Sequence, residues 1–296
     1  MGAEVRCTGS DTMPLLIGDI GGSSSRWAMV AGVRTHIWQD RFPGFNPLTG
    51  DPLPLQQQLR EVISPHLPKD VGALEVMAYG AGCGAPARAQ CLRDALLAVW
   101  PDARILVGTD LLGAAHGLYG NSSGVVLILG TGMNAGYYDG AQVHARMPSL
   151  GYILGDEGSG ADIGKHALHD ALYGLMPAPV LADMLPGGSG LPDILQAVYR
   201  STGAQAYVAS FTGALARHAG EPYVQGLVAS RFDALARVLQ RFHPPPELGE
   251  VRATGSVAHG FRDLLQEVFS RHGIRVKGVE QDPLQGLVAF HAQQRG

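Results

Sequence analysis

Residues 15–30 read Leu-Leu-Ile-Gly-Asp-Ile-Gly-Gly-Ser-Ser-Ser-Arg-Trp-Ala-Met-Val, and this stretch decides the fold. An apolar run ends at Asp19, passes through two glycines and three serines, and resumes at Trp27, which predicts a strand, a tight turn and a second strand. Glycine at the bend permits positive φ and lets a ligand approach the backbone. We expect the turn to bind phosphate through its hydroxyl and main-chain N–H groups, with Asp19 facing the ligand. The alternative is an ordinary hairpin turn.

The same pattern recurs further along the chain. Residues 125–138 read Val-Val-Leu-Ile-Leu-Gly-Thr-Gly-Met-Asn-Ala-Gly-Tyr-Tyr, again an apolar strand, a turn of glycine and threonine, and a second strand. Two such units predict two related halves that clamp one ligand between them. A third glycine turn, Gly255-Ser256, follows a predicted strand that begins at Val251 and precedes a helix predicted from Phe261 to His272. We expect a further anion or nucleotide contact at this turn.

Asp110 follows a strand of a predicted βαβ unit. Residues 74–79 form the first apolar strand, residues 87–100 an amphipathic helix, and residues 105–107 the second strand, so this part of the sheet should be parallel. Ligands of open α/β sheets lie outside the carboxyl ends of the strands, where reactive side chains collect. Asp110 is therefore a candidate reactive group. The alternative is that it caps the helix that follows, a position where Asp is favoured.

Two other segments carry candidate ligand groups. Residues 149–164 read Ser-Leu-Gly-Tyr-Ile-Leu-Gly-Asp-Glu-Gly-Ser-Gly-Ala-Asp-Ile-Gly, with adjacent carboxylates at Asp156 and Glu157 ahead of a helix predicted from Ile163 to Tyr173. Asn46 lies between two prolines in a loop rich in Pro and Gly. The alternatives are a solvated acidic turn and a local Asx turn.

Composition excludes several classes of protein. The 296 residues are 46% apolar and 16% charged, which is typical of a globular protein. The net charge of −4 and the lack of any Lys/Arg cluster argue against nucleic acid as the main partner. Cys7, Cys83 and Cys91 lack the spacing of a metal site or a disulfide framework, so we expect a reducing cytoplasm. We find no secretion signal at the start and no apolar stretch long enough for a bilayer, and expect no membrane partner.

In their order along the chain, these motifs resemble the N-acetylglucosamine kinase group of the actin and hexokinase superfamily, which is related to the BadF-type ATPases. Asp19-Ile-Gly-Gly-Ser-Ser-Ser-Arg is similar to the first phosphate motif of that family and Leu129-Gly-Thr-Gly-Met-Asn to the second. Ala253-Thr-Gly-Ser-Val is similar to the adenosine motif. Leu154-Gly-Asp-Glu-Gly-Ser-Gly is the most diagnostic segment. The resemblance extends from residue 15 to the final predicted helix, at 284–292.

The resemblance implies an α/β fold of two ribonuclease H-like (actin-like ATPase) domains, with ATP and sugar in a central cleft. On this basis we predict three parts of the chain. Residues 1–13 form a disordered extension. The N-terminal domain comprises residues 14–117 plus 283–296, and the C-terminal domain comprises residues 118–282.

The resemblance also implies roles for individual residues. Asp110 matches the catalytic base of the family, and Asp19 matches the aspartate that organises Mg²⁺. The expected ATP contacts are Asp19, Gly21, Gly22, Ser23, Ser24, Ser25, Arg26, Gly130, Thr131, Gly132, Gly255 and Ser256. The expected sugar contacts are Asn46, Asn134, Gly151 and Asp156.

The implied activity is phosphorylation by ATP of the 6-hydroxyl of an amino sugar, most simply N-acetylglucosamine. Two departures from the family leave the amino sugar open, with glucosamine and N-acetylmuramate as alternatives. Met133 stands where many relatives have Ser, and Gly151-Tyr152 replaces a stretch that contains Trp. A different class with this fold is the ATPase activator of radical dehydratases, which needs cysteines that hold an iron-sulfur cluster. A sugar sensor without turnover is the third alternative, and we expect a homodimer as the commonest assembly.

Overall fold

The computed structural model describes residues 13–32, 34–47, 50–67, 74–187, 190–201 and 203–295. The chain divides into two compact units. Unit 1 comprises Met1–Gly113 with Leu284–Gly296, and unit 2 comprises Ala114–Pro283. Of the predicted extension 1–13, only Met13 lies within the described residues. The domain boundary predicted after residue 117 stays a prediction.

The first sheet lies in unit 1 and contains the opening motif. Its strands are β1 (Leu15–Ile20), β2 (Ser24–Ala31), β3 (Arg34–Ile37), β4 (Phe42–Pro43), β5 (Glu75–Gly80) and β6 (Arg104–Thr109). They are ordered β3-β2-β1-β5-β6, with β4 beside β2. The pair β1-β2 is antiparallel, whereas β1-β5 and β5-β6 are parallel. The predicted hairpin and the predicted parallel βαβ unit are both confirmed.

The second sheet lies in unit 2 and repeats this topology. Its strands are β7 (Gly124–Leu129), β8 (Met133–Tyr138), β9 (Val143–His144), β10 (Val251–Thr254) and β11 (Val276–Glu280). Read from β9, the order is β9-β8-β7-β10-β11, an antiparallel meander followed by two parallel strands. The internal repeat predicted from the two glycine turns is therefore confirmed at the level of the sheets.

Helices cover the faces of these sheets. The first three are α1 (Leu53–Gln58), which continues into a π-helical turn and a 3-10 turn as far as His66, α2 (Pro86–Leu97) and α3 (Asp110–Tyr119). Unit 2 contains α4 (Gly151–Leu154), α5 (Gly160–Leu172), α6 (Ala178–Met184), α7 (Leu191–Arg200), α8 (Ala204–Ser210), α9 (Thr212–Arg217), α10 (Pro222–Phe242), α11 (Pro245–Leu248), α12 (Ser256–Gly260) and α13 (Arg262–Arg271). The last helix, α14 (Leu284–Arg295), belongs to unit 1. Within the described residues, no helix has both the length and the apolar character of a bilayer span.

Strand alternation builds the core of unit 1 on both faces of its sheet. Leu16 and Ile20 point to one side, where they are buried with Trp27. Leu15 and Ile17 point to the other side, against α14. Side chains of a strand alternate between faces, and a strand covered on both faces reads as a continuous apolar run. This is why β1 appears in the sequence as Leu-Leu-Ile.

Several predicted boundaries are wrong, each for a local physical reason. The helix predicted from Ile163 begins at Gly160, because the Ser159 hydroxyl accepts a hydrogen bond from the N–H of Asp162 (3.2 Å) and caps the helix. The sequence predicts a strand from Ile274 to Val276. The strand β11 begins instead at Val276, since the N–H of Ile274 still closes the end of α13 by bonding to the carbonyl of Phe269.

Three further helices depart from the prediction. The sequence predicts one helix from Ala206 to His218, whereas the structure divides this segment into α8 and α9 at Phe211. The helix predicted from Phe261 is preceded by the short helix α12, which starts at Ser256, directly after the glycine turn. The four-residue helix α4 lies in the segment 149–164, ahead of the helix predicted from Ile163, and was not predicted.

Candidate functional site

In unit 1, the turn between β1 and β2 is held from two sides. The Gly21 N–H donates to the carbonyl of Ser24 (2.9 Å), and the Gly21 carbonyl accepts from the N–H of Phe45 (3.0 Å). Gly22 and Ser23 are exposed at the tip. The predicted phosphate turn thus presents main-chain and hydroxyl groups to solvent on a fixed base.

Ser25 is buried beneath this turn and links it to the neighbouring strand and the core. It is 1% exposed, and its hydroxyl donates to the carbonyl of Pro43 (2.9 Å) and accepts from the indole N–H of Trp27 (3.0 Å). These bonds fasten β2 to β4 and to the core. The hydroxyls at accessible positions are those of Ser23 and Ser24, so the structure supports a ligand contact for these two residues better than for Ser25.

The loop that carries Asn46 packs directly on the turn. A Cβ atom at Gly44 would lie 2.3 Å from the carbonyl oxygen of Gly21 and 2.5 Å from the nitrogen of Ser24, so only glycine allows this approach. Asn46 follows two residues later, half-buried, with its Oδ1 atom 3.8 Å from the position of a Cβ at Gly82. The loop therefore places the Asn46 side chain beside the turn that follows β5.

The parallel strands bring the two candidate carboxylates to one edge of the sheet. Ile20, Gly80 and Thr109 are neighbours in the register of β1, β5 and β6. Asp19 and Asp110 flank this row, one at the end of β1 and the other just after β6. Adjacent strands are about 4.8 Å apart, so the backbones of β1 and β6 are separated by roughly 10 Å at this edge. The predicted position of Asp110 outside a strand's carboxyl end is confirmed.

Asp110 is the first residue of α3, but it is not the residue that caps the helix. Thr109 has that role, because its hydroxyl accepts from the N–H of Leu112 (3.1 Å). The Asp110 carboxylate accepts from the adjacent N–H of Leu111 (2.8 Å) and is half-buried. The partial positive charge at a helix N-terminus favours the ionised carboxylate, the form that a base requires.

The first turn of α3 rests on an aromatic ring. A Cβ atom at Gly113 would lie 2.7 Å from Cγ of Tyr79, so α3 and the Tyr79 ring are in close contact here. The Tyr79 hydroxyl lies 2.9 Å from Nε2 of His291 in α14. Tyr79 is fully buried, and this packing fixes the direction in which α3 presents Asp110.

Cys83 lies in the turn after β5. Burial, with a smaller contribution from the charge of Asp110, raises the pKa of its thiol to about 11. Since the thiolate is the nucleophile and metal ligand, this raised pKa disfavours both roles for Cys83 at neutral pH.

In unit 2, the turn between β7 and β8 is bonded to the start of α5. The Gly130 N–H donates to the carbonyl of Gly132 (3.1 Å). The carbonyls of Gly130 and Thr131 accept from the N–H groups of Gly160 (2.8 Å) and Ala161 (3.0 Å). The second predicted phosphate turn is thus fixed by the helix that follows the acidic segment.

The third glycine motif lies against the second. Gly255 has φ +112°, and a Cβ atom there would lie 2.3 Å from the carbonyl oxygen of Leu129, directly before the turn. Ser256, which is exposed, then begins α12. The structure therefore brings together two motifs that are more than a hundred residues apart in the sequence.

We predict a large local effect from Gly255→Ala. The added methyl group must displace β10 from Leu129 and adopt a backbone conformation that costs about 1–3 kcal/mol. For the kinase activity that the family resemblance implies, the KM for ATP should rise about tenfold or more, measured by steady-state kinetics, with a smaller change in the KM for sugar. Gly213→Ala in α9 is the matched control, because a Cβ there meets no atom within 4 Å. Equal ATP KM values for the two variants would contradict the prediction.

Asp156 is buried next to the second turn. It is 6% exposed and has φ 59°, the left-handed region that non-glycine residues rarely adopt. A Cβ atom at Gly132 would lie 2.9 Å from its Oδ2 atom, and the Met133 N–H bonds to the carboxylate. Burial, followed by the charges of Glu157 and Asp162, raises the pKa of Asp156 to about 6.

The remaining predicted sugar contacts of unit 2, Asn134 and Gly151, both precede this carboxylate in the sequence. Asn134 is half-buried in β8, two residues after Gly132 and opposite Ile128. Gly151 begins α4 with φ 71° and has open space around its Cα atom. The contacts described for unit 2 do not connect Gly151 with Asp156.

Three residues that fix the Asp156 segment by hydrogen bonds were not predicted from the sequence. The Asp162 carboxylate accepts from the N–H of Gly158 (2.9 Å) and from Nε of Arg231 (2.8 Å), and the side-chain amide of Gln205 donates to Asp156 (3.3 Å). Asp162 could have been found from its spacing of three residues after the cap Ser159. Arg231 and Gln205 come from distant helices, and no local signal indicates them.

Comparison with solved structures identifies the family. One solved structure is that of a Porphyromonas gingivalis protein described as an N-acetylglucosamine kinase. It is 34% identical in sequence to this chain, and the two superpose with a TM-score of 0.82 over 95% of this chain and 100% of the other. Another from Chromobacterium violaceum is 19% identical (TM-score 0.66, 95% and 99% coverage). The glucokinase of the ROK family from Streptomyces griseus, solved with glucose and AMPPNP, is 18% identical (TM-score 0.55, 96% and 100% coverage). These last two show the fold alone. No family model and no curated protein sequence matches the chain.

The two repeated sheets and their glycine turns define an α/β protein of the actin-like ATPase fold, in the class of sugar kinases. The predicted fold class is confirmed. The chain belongs to the N-acetylglucosamine kinase-like family of the actin and hexokinase superfamily.

Proposed function

We propose that this protein is a kinase that uses ATP to phosphorylate the 6-hydroxyl of an amino sugar, with N-acetylglucosamine as the preferred substrate. The observation that carries the proposal is the position of Asp110, ionisable and half-buried at the start of α3, on the sheet edge where the phosphate-type turn also begins. The 34% identity to the Porphyromonas gingivalis protein supports the choice of substrate.

In this proposal, Asp110 accepts the proton of the attacking sugar hydroxyl. Phosphoryl transfer needs mainly positioning and compensation of charge, and general base assistance adds about 10²–10⁴-fold in rate. Asn46 binds the sugar from the loop that packs on the Gly21 turn. The phosphates are contacted by the main-chain groups of Gly21 and Gly22 and by the hydroxyls of Ser23 and Ser24. Arg26, which is opposite Asp19 in the register of β1 and β2, also contacts them.

Asp19 fits the requirements of Mg²⁺. Mg²⁺ prefers oxygen ligands and is usually held by one or two carboxylates together with water and phosphate oxygens. Asp19 offers such a carboxylate, half-buried at the end of β1 and two residues before the Gly21-Gly22 turn. When bound, the ion would neutralise charge on the phosphates of ATP. Asp19 keeps that carboxylate beside the turn.

Unit 2 supplies the other contacts. We assign the turn Gly130–Thr131–Gly132 to the phosphates of ATP, and Gly255-Ser256 to its adenosine end. Asn134 and Asp156 bind the sugar, and Gly151 stays a proposed contact without further support. A site that hydrogen-bonds hydroxyl and amide groups discriminates against analogues that lack them, because its buried polar groups are then left unpaired.

A panel of sugars tests the proposal. ADP release should be measured with N-acetylglucosamine, glucosamine, N-acetylmuramate, N-acetylmannosamine and glucose, and the phosphorylated position should be identified by ³¹P NMR. We expect the highest kcat/KM for N-acetylglucosamine and a 6-phosphate product. A higher kcat/KM for another amino sugar would change the assigned substrate, and absence of ADP release with every sugar would overturn the kinase assignment.

The KM for the sugar should depend on pH through Asp156. Its folded-state pKa of about 6 means that the carboxylate is ionised above pH 6 and protonated below it. Because protonation converts one acceptor oxygen into an O–H donor and removes the charge that strengthens a hydrogen bond from a sugar hydroxyl, KM should rise as the pH falls below 6, by up to about tenfold for each pH unit. Steady-state kinetics from pH 5 to 8 measure this. Asp156→Asn should raise KM at pH 8 and remove the dependence; a variant with the wild-type pH profile would exclude Asp156.

The radical dehydratase activator receives no support from Cys83 or Cys91, the cysteines that lie within the described residues. Cys83 is 6% exposed and its pKa is raised, so it is a poor ligand for a cluster, and Cys91 is exposed on α2. Iron content and visible absorbance after anaerobic purification would test this class directly.

A further inference from the structure

Gln205 is a residue that neither the motifs nor the family resemblance assigns to the site. It lies in α8, in the first turn of a helix that is 49 residues beyond Asp156 in the sequence. Its Nε2 atom donates to Oδ2 of Asp156 at 3.3 Å, and it lies 3.1 Å from the position of a Cβ at Gly132. The amide therefore reaches both the carboxylate and the phosphate turn.

We propose that Gln205 is a positioning residue for the sugar site, which directs Asp156 toward its substrate and stabilises the ionised carboxylate. This inference rests on the proposed function. The geometry supports it because Gly132 allows the amide and the carboxylate to converge above its Cα atom, where any side chain would collide with both.

The charges around Asp156 explain why a single amide donor should affect the pKa of this carboxylate. The carboxylate faces like charges from Glu157, next in the chain, and from Asp162 in α5. Two donors oppose them, the Met133 N–H of β8 and Gln205 of α8. The Asp162 charge is itself partly compensated by Arg231 at 2.8 Å. A hydrogen bond to the charged form of a buried acid lowers its pKa, so loss of Gln205 leaves a single donor against burial and two like charges.

Two variants with opposite expected effects test this role. Gln205→Leu removes the donor and should raise the Asp156 pKa by about one unit. Gln205→Lys replaces the amide with a charged donor and should lower it by a similar amount. In each variant the acid limb of the sugar KM profile should move with the pKa of Asp156. Gln225→Leu, at an exposed position of α10, is the matched control.

The pKa of Asp156 can be measured without any sugar. ¹³C labelling of aspartate carboxyl groups, with Asp156→Asn to assign the signal, gives the titration in the free protein. Shifts of opposite sign in Gln205→Leu and Gln205→Lys support the inference. Shifts below about 0.2 units in both, or of the same sign, overturn it. If the wild type phosphorylates no sugar but the titration shifts as expected, the proposed function fails while the contact of Gln205 with Asp156 stands.

Discussion

Asp110→Asn should lose about 10²–10⁴-fold in kcat while the protein keeps its fold and its affinity for sugar. The amide has the shape of the carboxylate and its oxygen still accepts the hydrogen bond from the N–H of Leu111. It cannot accept the proton of an attacking hydroxyl, however, and that assistance corresponds to about 3–5 kcal/mol of activation free energy. The Thr109 cap of α3 is unaffected, so the cost to stability should stay below about 1 kcal/mol.

Three measurements separate this role from a structural one. Steady-state kinetics give kcat, calorimetric titration gives the Kd for sugar, and thermal unfolding gives stability. Asp102→Asn, at an exposed position before β6, is the matched control and should behave as the wild type. A kcat within threefold of the wild type would remove Asp110 from the mechanism. Loss of kcat together with a large fall in Tm would mean that the carboxylate supports the fold instead.

The sheets were predictable because their signals are local. The apolar run of β1, the glycine turn and the return strand from Ser24 to Ala31 lie within 17 residues, and the same pattern marks β7 and β8. Period-two burial and glycine at the bend are properties of neighbouring residues, so one sequence is enough to identify them. Apolar periodicity alone predicts that α5 begins at Ile163, three residues too late. The helix begins at Gly160 because Ser159 caps it, and the cap precedes the first residue of the apolar pattern.

The candidate site also contains features that local sequence signals predict and features that they do not. Asp110 and the three glycine turns lie at the carboxyl ends of strands, and a strand's end can be located from the sequence. What those glycines touch could not be predicted, because the contact of Gly44 with Gly21 and that of Gly255 with Leu129 depend on tertiary packing. The raised pKa of Asp156 could not be predicted either, because it arises from burial and from charges that folding brings close to the carboxylate.

Arg231→Met should be the most destabilising of the changes considered for unit 2. Asp162 has a side chain only 3% exposed, and the Arg231 guanidinium contacts it at 2.8 Å. Removing one partner of a buried ion pair typically costs about 3–5 kcal/mol. Because Lys165 (3.8 Å) and His166 (3.4 Å) also lie near the Asp162 carboxylate, we expect a loss toward the lower end of that range. For a unit of this size, that corresponds to a fall in Tm of about 6 °C or more. Because Asp162 also binds the Gly158 N–H, the Asp156 turn should loosen and the sugar KM should rise.

A double variant distinguishes the ion pair from simple packing. Asp162→Leu combined with Arg231→Met removes both charges. The buried Gly158 N–H then lacks its partner, a cost of about 1–3 kcal/mol, whereas Lys165 and His166, which also lose the carboxylate, are partly exposed and can be hydrated. The double variant should therefore be more stable than Arg231→Met alone in thermal unfolding. Arg237→Met is the matched control on α10, since its side chain is 71% exposed and lies 3.8 Å from Asp233, a pair worth about 0–1 kcal/mol. Additive losses in the double variant would show that the two side chains stabilise unit 2 independently, and that the charge of Asp162 does not need Arg231.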